Sequence, residues 1–191
     1  MKEVWESIES KLKEIAPDVL ASLNKGVTDV EVEKLEKSIN AKLPTEFVEF
    51  YRIHNGQLSQ RPGLIGCEEL LSFERIMDEW QGWKTFIDSN EIENENASLP
   101  DIGIKNNWWN SLWIPITQDG SGDHYCIDLD PAEKGSCGQI IRMRHDDPQR
   151  HLEANSFREW ITNYKDKLLS GQMVYSEDYF GIIDKDFITE P

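Results

Sequence analysis

The fold is decided by the stretch Leu112-Trp113-Ile114-Pro115-Ile116-Thr117-Gln118-Asp119-Gly120-Ser121-Gly122-Asp123-His124-Tyr125-Cys126-Ile127-Asp128-Leu129-Asp130. It predicts a strand, a tight turn and a second strand, because the glycines of the turn reach positive φ without steric cost and the flanking aspartates can hydrogen-bond their own backbone. Side chains alternate along the second strand, which predicts one core face and one solvent face. The predicted core face is Tyr125, Ile127 and Leu129, and the predicted solvent face is His124, Cys126, Asp128 and Asp130. The polar face lacks convergent bases and nucleophiles, which favours recognition over catalysis.

Amphipathic helices are predicted on both sides of this hairpin. An apolar stripe from Val4 to Ile15 predicts the first helix, which Pro17 ends. Hydroxyl residues that can accept a backbone N–H predict the starts of three more helices. These residues are Thr28, Ser72 and Ser156, and Glu31 and Glu159 complete capping boxes with the first and last of them.

A further helix is predicted to begin at Leu43-Pro44 and to end at Asn55-Gly56. Its Phe47, Phe50 and Tyr51 are predicted to be core, as is Trp113. Residues 139–144 predict a third strand of one antiparallel sheet that also contains residues 112–117 and 124–130. Residues 88–107 are predicted to be a surface loop, and the tail 172–191 is predicted either to pack on the domain or to reach a partner.

The charge balance limits the classes of partner. Asp and Glu number 36 against 20 Lys and Arg, which gives a net charge of −16. Such a field repels nucleic acid and anionic membranes. It attracts basic proteins or cations, or it serves solubility alone. No apolar run approaches the ~18 residues of a membrane-spanning helix. The acidic N-terminus and the three cysteines, none in a CxxC pair, predict a reduced, cytoplasmic protein.

The sequence predicts no catalytic residue, cofactor or metal. His145 and His151 lie six residues apart, which fits neither a zincin nor a zinc finger. Cys126 can be paired with His124 or His145 only as a weak nucleophilic motif. Asp119, Ser121, Asp123 and Asp130 fall in the register of a calcium loop, but His124 stands where that loop requires glycine. An enzyme and a calcium-binding protein are therefore the remote alternatives.

Three blocks carry a resemblance to a known family. Residues 43–56, from Leu43-Pro44 through Phe47 to Asn55-Gly56, resemble a helix of the SUKH superfamily, which contains the yeast cell-wall-assembly regulator family and bacterial immunity proteins. The hairpin from Trp113 to Asp128 and the helix at 157–161 are similar to the same family. The match covers roughly residues 28–170. It implies an α+β fold with a single antiparallel β-sheet flanked by α-helices, in one SUKH-like domain over 1–191 whose N-terminal helix and C-terminal tail are extensions.

The resemblance also implies a non-enzymatic function. Bacterial members largely neutralise toxins, and an acidic chain suits a basic, nuclease-type toxin. The eukaryotic members typically carry disordered flanks, which are not apparent here, so we expect an immunity protein with a cognate basic toxin as its partner and no nucleic acid or membrane partner. The alternative is a scaffold or regulatory protein of the cell-wall-assembly type.

The predicted partner-binding residues are Trp108, Trp109, Asp119, Asp123 and Asp128. The tryptophans can supply apolar anchors, since Trp dominates binding hot spots. The aspartates belong to one rigid hairpin, which lowers the ordering cost of binding. In the alternative, Asp119 and Asp123 only cap the turn and the tryptophans pack inward. The sequence specifies neither the toxin nor the oligomeric state.

Overall fold

The computed structural model describes residues 1–89, 94 and 97–188. Within them the helices are α1 (Lys2–Ile15), α2 (Pro17–Ala21), α3 (Asp29–Ile39), α4 (Thr45–Tyr51), α5 (Phe73–Asp88) and α6 (Phe157–Ser170). The strands are β1 (Glu69–Leu70), β2 (Leu99–Pro100), β3 (Trp113–Pro115), β4 (Thr117–Gln118), β5 (His124–Asp128), β6 (Gln139–Met143), β7 (Gln149–Ala154), β8 (Met173–Ser176) and β9 (Gly181–Asp184). A short 3₁₀ helix (Lys185–Phe187) follows β9.

The main sheet has five strands in the order β2-β7-β6-β5-β3. The predicted antiparallel pairing is confirmed, because β3 pairs with β5 and β5 pairs with β6 in antiparallel register. The prediction of a single antiparallel sheet is wrong. β2 joins β7 in parallel, and two further two-stranded sheets, β1-β4 and β8-β9, lie beside the main one.

The parallel edge strand was not predicted because it is two residues long and carries a proline. The backbone N–H groups of Leu99 and Asp101 donate to Pro148 and Arg150 of the β7 segment at 2.8 Å each. Pro100 lies between them and has no N–H, so this edge lacks a donor that a further strand would need.

Both faces of the main sheet are covered, so the predicted solvent face of β5 is wrong. His124, Cys126 and Asp128 are fully buried. Helix α5 packs against this face, where the Trp83 indole N–H donates to His124 Nε2 at 3.0 Å. Helix α6 covers the opposite face, where the ring centroids of Tyr125 and Trp160 lie 5.4 Å apart. A hydrogen-bonded polar residue can therefore lie on a buried face, despite its polarity.

The helix starts at Thr28, Ser72 and Ser156 are confirmed, but the second predicted capping box is wrong, because the Glu159 carboxylate accepts from the Asn155 N–H at 2.8 Å and not from the Ser156 N–H. Thr28 and Glu31 form the predicted capping box of α3, and the Ser72 and Ser156 hydroxyls cap α5 and α6. Helix α4 ends at Tyr51, before the predicted Asn55-Gly56 stop. The Asn55 side chain instead accepts a hydrogen bond from the backbone N–H of Phe73 at 2.8 Å, so it organises the start of the next helix.

The predicted aromatic core is confirmed. Phe47, Phe50, Tyr51 and Trp113 are fully buried. The Trp5 indole of α1 stacks on Phe50 with ring centroids 4.4 Å apart and donates to the Phe50 carbonyl oxygen at 2.9 Å. The N-terminal helix is therefore fixed to the core by both an aromatic stack and a hydrogen bond.

The two segments without a predicted structure both contain strands. The predicted loop 88–107 contains β2, and its residues 90–93, 95 and 96 lie outside the described residues. The tail packs on the domain as the hairpin β8–β9, where Met173, Ile182 and Ile183 are buried. Over the described part of the chain, no helix combines the length and apolarity needed to cross a membrane.

Candidate functional site

The tip of the β4–β5 hairpin is held by Asp119. Its Oδ1 accepts hydrogen bonds from the backbone N–H groups of Ser121, Gly122 and Asp123 at 2.8, 3.2 and 3.1 Å. Gly120 and Gly122 have φ of 91° and 110°, which other residues adopt with strain. Partial burial opposes the charge, but these hydrogen bonds lower the pKa of Asp119 below its usual value. Asp119 is exposed and ionised, and it also caps the turn.

Asp123 is half-buried and connects the tip to the end of β6. Its Oδ1 accepts from His145 twice, from the backbone N–H at 3.0 Å and from the ring Nδ1 at 2.8 Å. Its Oδ2 lies 3.7 Å from Arg142 Nη2 and 3.8 Å from Arg144 Nε. The hydrogen bond to Asp123 raises the pKa of His145 above its usual value. The Asp123 carboxylate thus contacts three residues, His145, Arg142 and Arg144.

Asp128 is fully buried at the far end of β5. Its Oδ1 accepts from the Asp130 backbone N–H at 2.9 Å, and its Oδ2 accepts from Gln139 Nε2 at 2.8 Å. Burial raises the pKa of Asp128 to about 6. Of the three predicted aspartates, the structure brings Asp119 and Asp123 together and places Asp128 below the surface.

The predicted tryptophan anchors pack inward to different extents. Trp109 is 2% exposed and stacks on Trp83 with ring centroids 6.4 Å apart. Trp108 is half-buried, and the Arg150 guanidinium lies 5.1 Å above its ring. Trp108 alone of the pair keeps substantial exposed surface, and binding by Trp108, Asp119 or Asp123 stays a prediction.

The structure does not assemble the calcium register. The Asp130 carboxylate pairs with Lys105 at 2.6 Å and accepts from Asn110 at 2.9 Å, away from the turn. Among the described residues, Asp123, His145 and Asp146 place ligand atoms within 4.8 Å of one another. The two hydrogen bonds between Asp123 and His145 explain this grouping without an ion.

A buried ion pair lies beneath the hairpin, and sequence reasoning missed it. Glu68 Oε1 lies 2.6 Å from Arg142 Nη1, and Glu68 Oε2 accepts from the Thr117 hydroxyl at 2.6 Å. The Arg142 guanidinium also lies 4.6 Å above the Tyr125 ring. Burial raises the pKa of Glu68 to about 7 despite this ion pair. One sequence signal was available: Arg142 is the charged residue of β6, next to the apolar Ile140, Ile141 and Met143.

A groove of about 510 Å³ lies between helix α6, the sheet and the C-terminal hairpin, and the sequence did not predict it. We call it the α6 groove. Its lining includes the aromatic residues Tyr125, Trp160 and Tyr164, with Met173 and Ile183 from the hairpin. Glu153, Asn163 and Lys167 add polar groups to its walls. Its size is that of a pocket that takes a small ligand or one or two side chains of a partner.

Comparison with known proteins identifies the family. Residues 26–163 match the SMI1 / KNR4 family (SUKH-1). The chain belongs to this family. The predicted SUKH relationship is therefore confirmed, and the matched region is close to the predicted span of 28–170.

Several members of the SMI1/KNR4 family and one differently named protein are similar to this chain. The glucan synthesis regulatory protein of Neurospora crassa is 26% identical and the alignment covers 91% of this chain and 39% of that protein. The cell wall biosynthesis/cell cycle regulator smi1 of Schizosaccharomyces pombe is 25% identical over 93% of this chain and 38% of that protein. F-box only protein 3 of Rattus norvegicus is 33% identical over 90% of this chain and 34% of that protein. The chain thus spans about two fifths or less of these relatives.

The SMI1/KNR4 match does not include every part of the candidate site. The hairpin tip and the Glu68–Arg142 pair lie inside the matched residues 26–163. One wall of the α6 groove, which contains Lys167, Met173 and Ile183, lies beyond them. The groove is therefore formed between the family region and the C-terminal hairpin of this chain.

Proposed function

We propose that the chain is a non-catalytic scaffold or regulatory protein of the cell-wall-assembly type, which acts by binding other proteins. Family membership carries the proposal, because the two fungal relatives are named as regulators of glucan synthesis and of cell wall biosynthesis. These names favour the regulatory alternative over the immunity protein that we expected from the resemblance.

The surroundings of His124 and Cys126 support a non-catalytic role. His124 Nδ1 donates to the Thr117 carbonyl oxygen at 2.7 Å while Nε2 accepts from the Trp83 indole, a pattern that requires the neutral ring. Burial lowers the pKa of His124 and raises the pKa of the Cys126 thiol. A neutral thiol beside a neutral imidazole is a poor nucleophile, since the reactive species is the thiolate.

Two features of the surface support protein binding. The hairpin tip is rigid, since Asp119 fixes its backbone, and its carboxylate is exposed. The α6 groove presents aromatic rings beside polar groups, the composition that is enriched in the buried centre of protein interfaces.

An immunity protein is the second candidate function, and the net charge of −16 favours it. Such a field accelerates association with a basic partner. The two functions differ in the partner: a regulator binds proteins of its own cell, and an immunity protein binds a toxin.

Deletion of the gene in its host separates the candidates. For a regulator, we expect the deletion strain to become more sensitive to a wall-binding dye, with rescue by osmotic support and by re-expression of the chain. A Cys126→Ala variant should restore growth as fully as a Cys137→Ala variant, because neither thiol is proposed to react. Normal wall sensitivity, with death only when a neighbouring toxin gene is expressed, would instead establish the immunity role.

A further inference from the structure

One wall of the α6 groove carries a carboxylate that no described residue contacts by a hydrogen bond or ion pair. Glu153 makes no hydrogen bond or ion pair with any residue that the structure describes, although its side chain lines the groove. Desolvation beside the sheet raises the pKa of Glu153 above its usual value, although Arg142, His151 and Lys167 partly offset this at longer range and the side chain still reaches solvent. A carboxylate that has lost water without gaining a donor is stabilised by an incoming cation.

Among the described residues, the two cations near the groove each have a carboxylate partner. Lys167 Nζ lies 3.2 Å from Asp184 Oδ2, which closes the opposite wall with an ion pair. Arg142 is held by Glu68 at 2.6 Å and stacks on Tyr125. Among the described lining residues, the charged group without an ion-pair partner is therefore negative, and it agrees in sign with the net charge of −16.

The rest of the lining offers apolar surface and free hydrogen-bonding groups. Trp160 and Tyr125 lie 5.4 Å apart by ring centroids, and neither the indole N–H nor the hydroxyl has a hydrogen-bond partner among the described residues. Asn163 is exposed on α6, and its side-chain amide also has no partner there. An amide provides both a donor and an acceptor, which matches the two polar groups of a peptide bond.

We propose that the α6 groove is a docking site for a short peptide segment of a partner protein, with a Lys or Arg beside a large apolar side chain. The basic group pairs with Glu153, the apolar side chain packs on Trp160 and Tyr125, and the peptide backbone bonds to Asn163. This proposal rests on the protein-binding function and assigns a place and a partner chemistry to it.

Selection from a random twelve-residue phage library, with the full chain as target, tests this proposal. Enriched peptides are synthesised with a fluorescent label, and their affinity is measured by anisotropy. We expect them to share a basic residue next to an aromatic or long aliphatic one. A Glu153→Gln/Asn163→Ala double variant should weaken binding at least tenfold. The matched control is Glu133→Gln, since Glu133 is an exposed carboxylate that does not line the groove.

Each outcome decides whether the α6 groove binds such a peptide. Both substituted residues are exposed, so the double variant should retain the thermal unfolding midpoint of the parent chain. Peptides that bind the double variant as tightly as the parent, acidic peptides, or no enrichment would overturn the proposal. These failures leave the wall-sensitivity test untouched, so loss of the groove is distinguishable from loss of the regulatory function.

Discussion

Glu68 and Arg142 form an ion pair with 2.6 Å between Oε1 and Nη1, although Glu68 is only 6% exposed. The pair joins the segment before β1 to the centre of β6, so it connects the small sheet to the main one. Taking a carboxylate out of water costs free energy that one ion pair only partly offsets. The contact therefore orients two elements while leaving Glu68 easy to protonate.

We expect this carboxylate to make stability depend on pH. The pKa of Glu68 is raised from 4.5 to about 7 in the folded chain, so between these values the folded state binds more protons than the unfolded state. The free energy of unfolding must then fall as pH rises through that window. The difference between the parent and Glu68→Gln should change by up to about 3 kcal/mol from pH 4.5 to pH 8 in urea unfolding.

A Glu133→Gln variant controls for the removal of one carboxylate charge, because Glu133 is exposed and lies outside the Glu68–Arg142 pair. A flat difference for Glu68→Gln would show that Glu68 titrates as an ordinary surface acid. Asp128, whose pKa is raised from 3.8 to about 6, contributes a slope of the same sign that cancels in the comparison.

Removal of the Trp113 side chain should be severely destabilising. Trp113 is fully buried at the edge strand β3, so Trp113→Ala should cost about 3–5 kcal/mol through lost burial and the cavity left behind. The half-buried Trp108 provides a control of the same chemistry, and Trp108→Ala should cost less. Chemical denaturation of both variants measures this, and a loss below about 1 kcal/mol at position 113 would contradict the core assignment.

The C-terminal hairpin should detach when Gly181 gains a side chain. A Cβ there would lie 2.7 Å from the Gly63 carbonyl oxygen and 2.8 Å from the Gly63 nitrogen, both backbone atoms. Gly181→Ala should therefore separate the segments and cost about 1–3 kcal/mol. Faster amide exchange is expected at Cys67 and Ile182, whose N–H groups cross this junction to Ile182 and Gly63.

Helix α5 offers the matched control for that substitution. A Cβ at Gly82 would meet nothing within 4 Å, so Gly82→Ala should be neutral or stabilise by up to about 1 kcal/mol. Unchanged exchange at Cys67 and Ile182 in Gly181→Ala would mean that the hairpin does not depend on this close approach.

His145 should titrate above its ordinary pKa of 6.5, because it donates to Asp123. Its contribution to stability is present below that value and is lost as pH rises through the folded pKa. NMR titration of the ring should show the pKa falling in Asp123→Asn. Asp146, 4.0 Å from the ring nitrogen, is the control, and Asp146→Asn should lower the pKa less. Equal effects would show that the summed field of nearby carboxylates raises the pKa of His145, and not the hydrogen bond to Asp123 in particular.

Short sequence motifs correctly predicted the parts of the fold that are determined by residues close together in the sequence. Caps at Thr28, Ser72 and Ser156, and the glycine turn before β5, are decided within a few positions of the chain. The faces of β5 were mispredicted because some partners of its buried polar residues lie outside the hairpin. His124 is satisfied by Trp83 and Asp128 by Gln139, and no local pattern contains these contacts.

The candidate site was predictable to a smaller extent. The sequence places Asp119 and Asp123 in the hairpin, and their role in binding stays a prediction, while burial removes Asp128 and Trp109 from the surface. The α6 groove is lined by residues from segments that are far apart in the chain, from Ile65 to Phe187, and depends on the tail folding back on Gly63. The pattern of polar and apolar residues along the sequence does not predict the contact between the tail and Gly63.

The central claim, that this chain acts by binding other proteins, is tested most directly by site-specific photocrosslinking in the native host. A benzoylphenylalanine residue is placed in turn at positions 163, 119 and 133, which probe the α6 groove, the hairpin tip and an uninvolved turn. The account predicts a light-dependent adduct with a host protein from position 163, identified by mass spectrometry, and none from position 133. The absence of adducts from both 163 and 119, or equal labelling from 133, would contradict it.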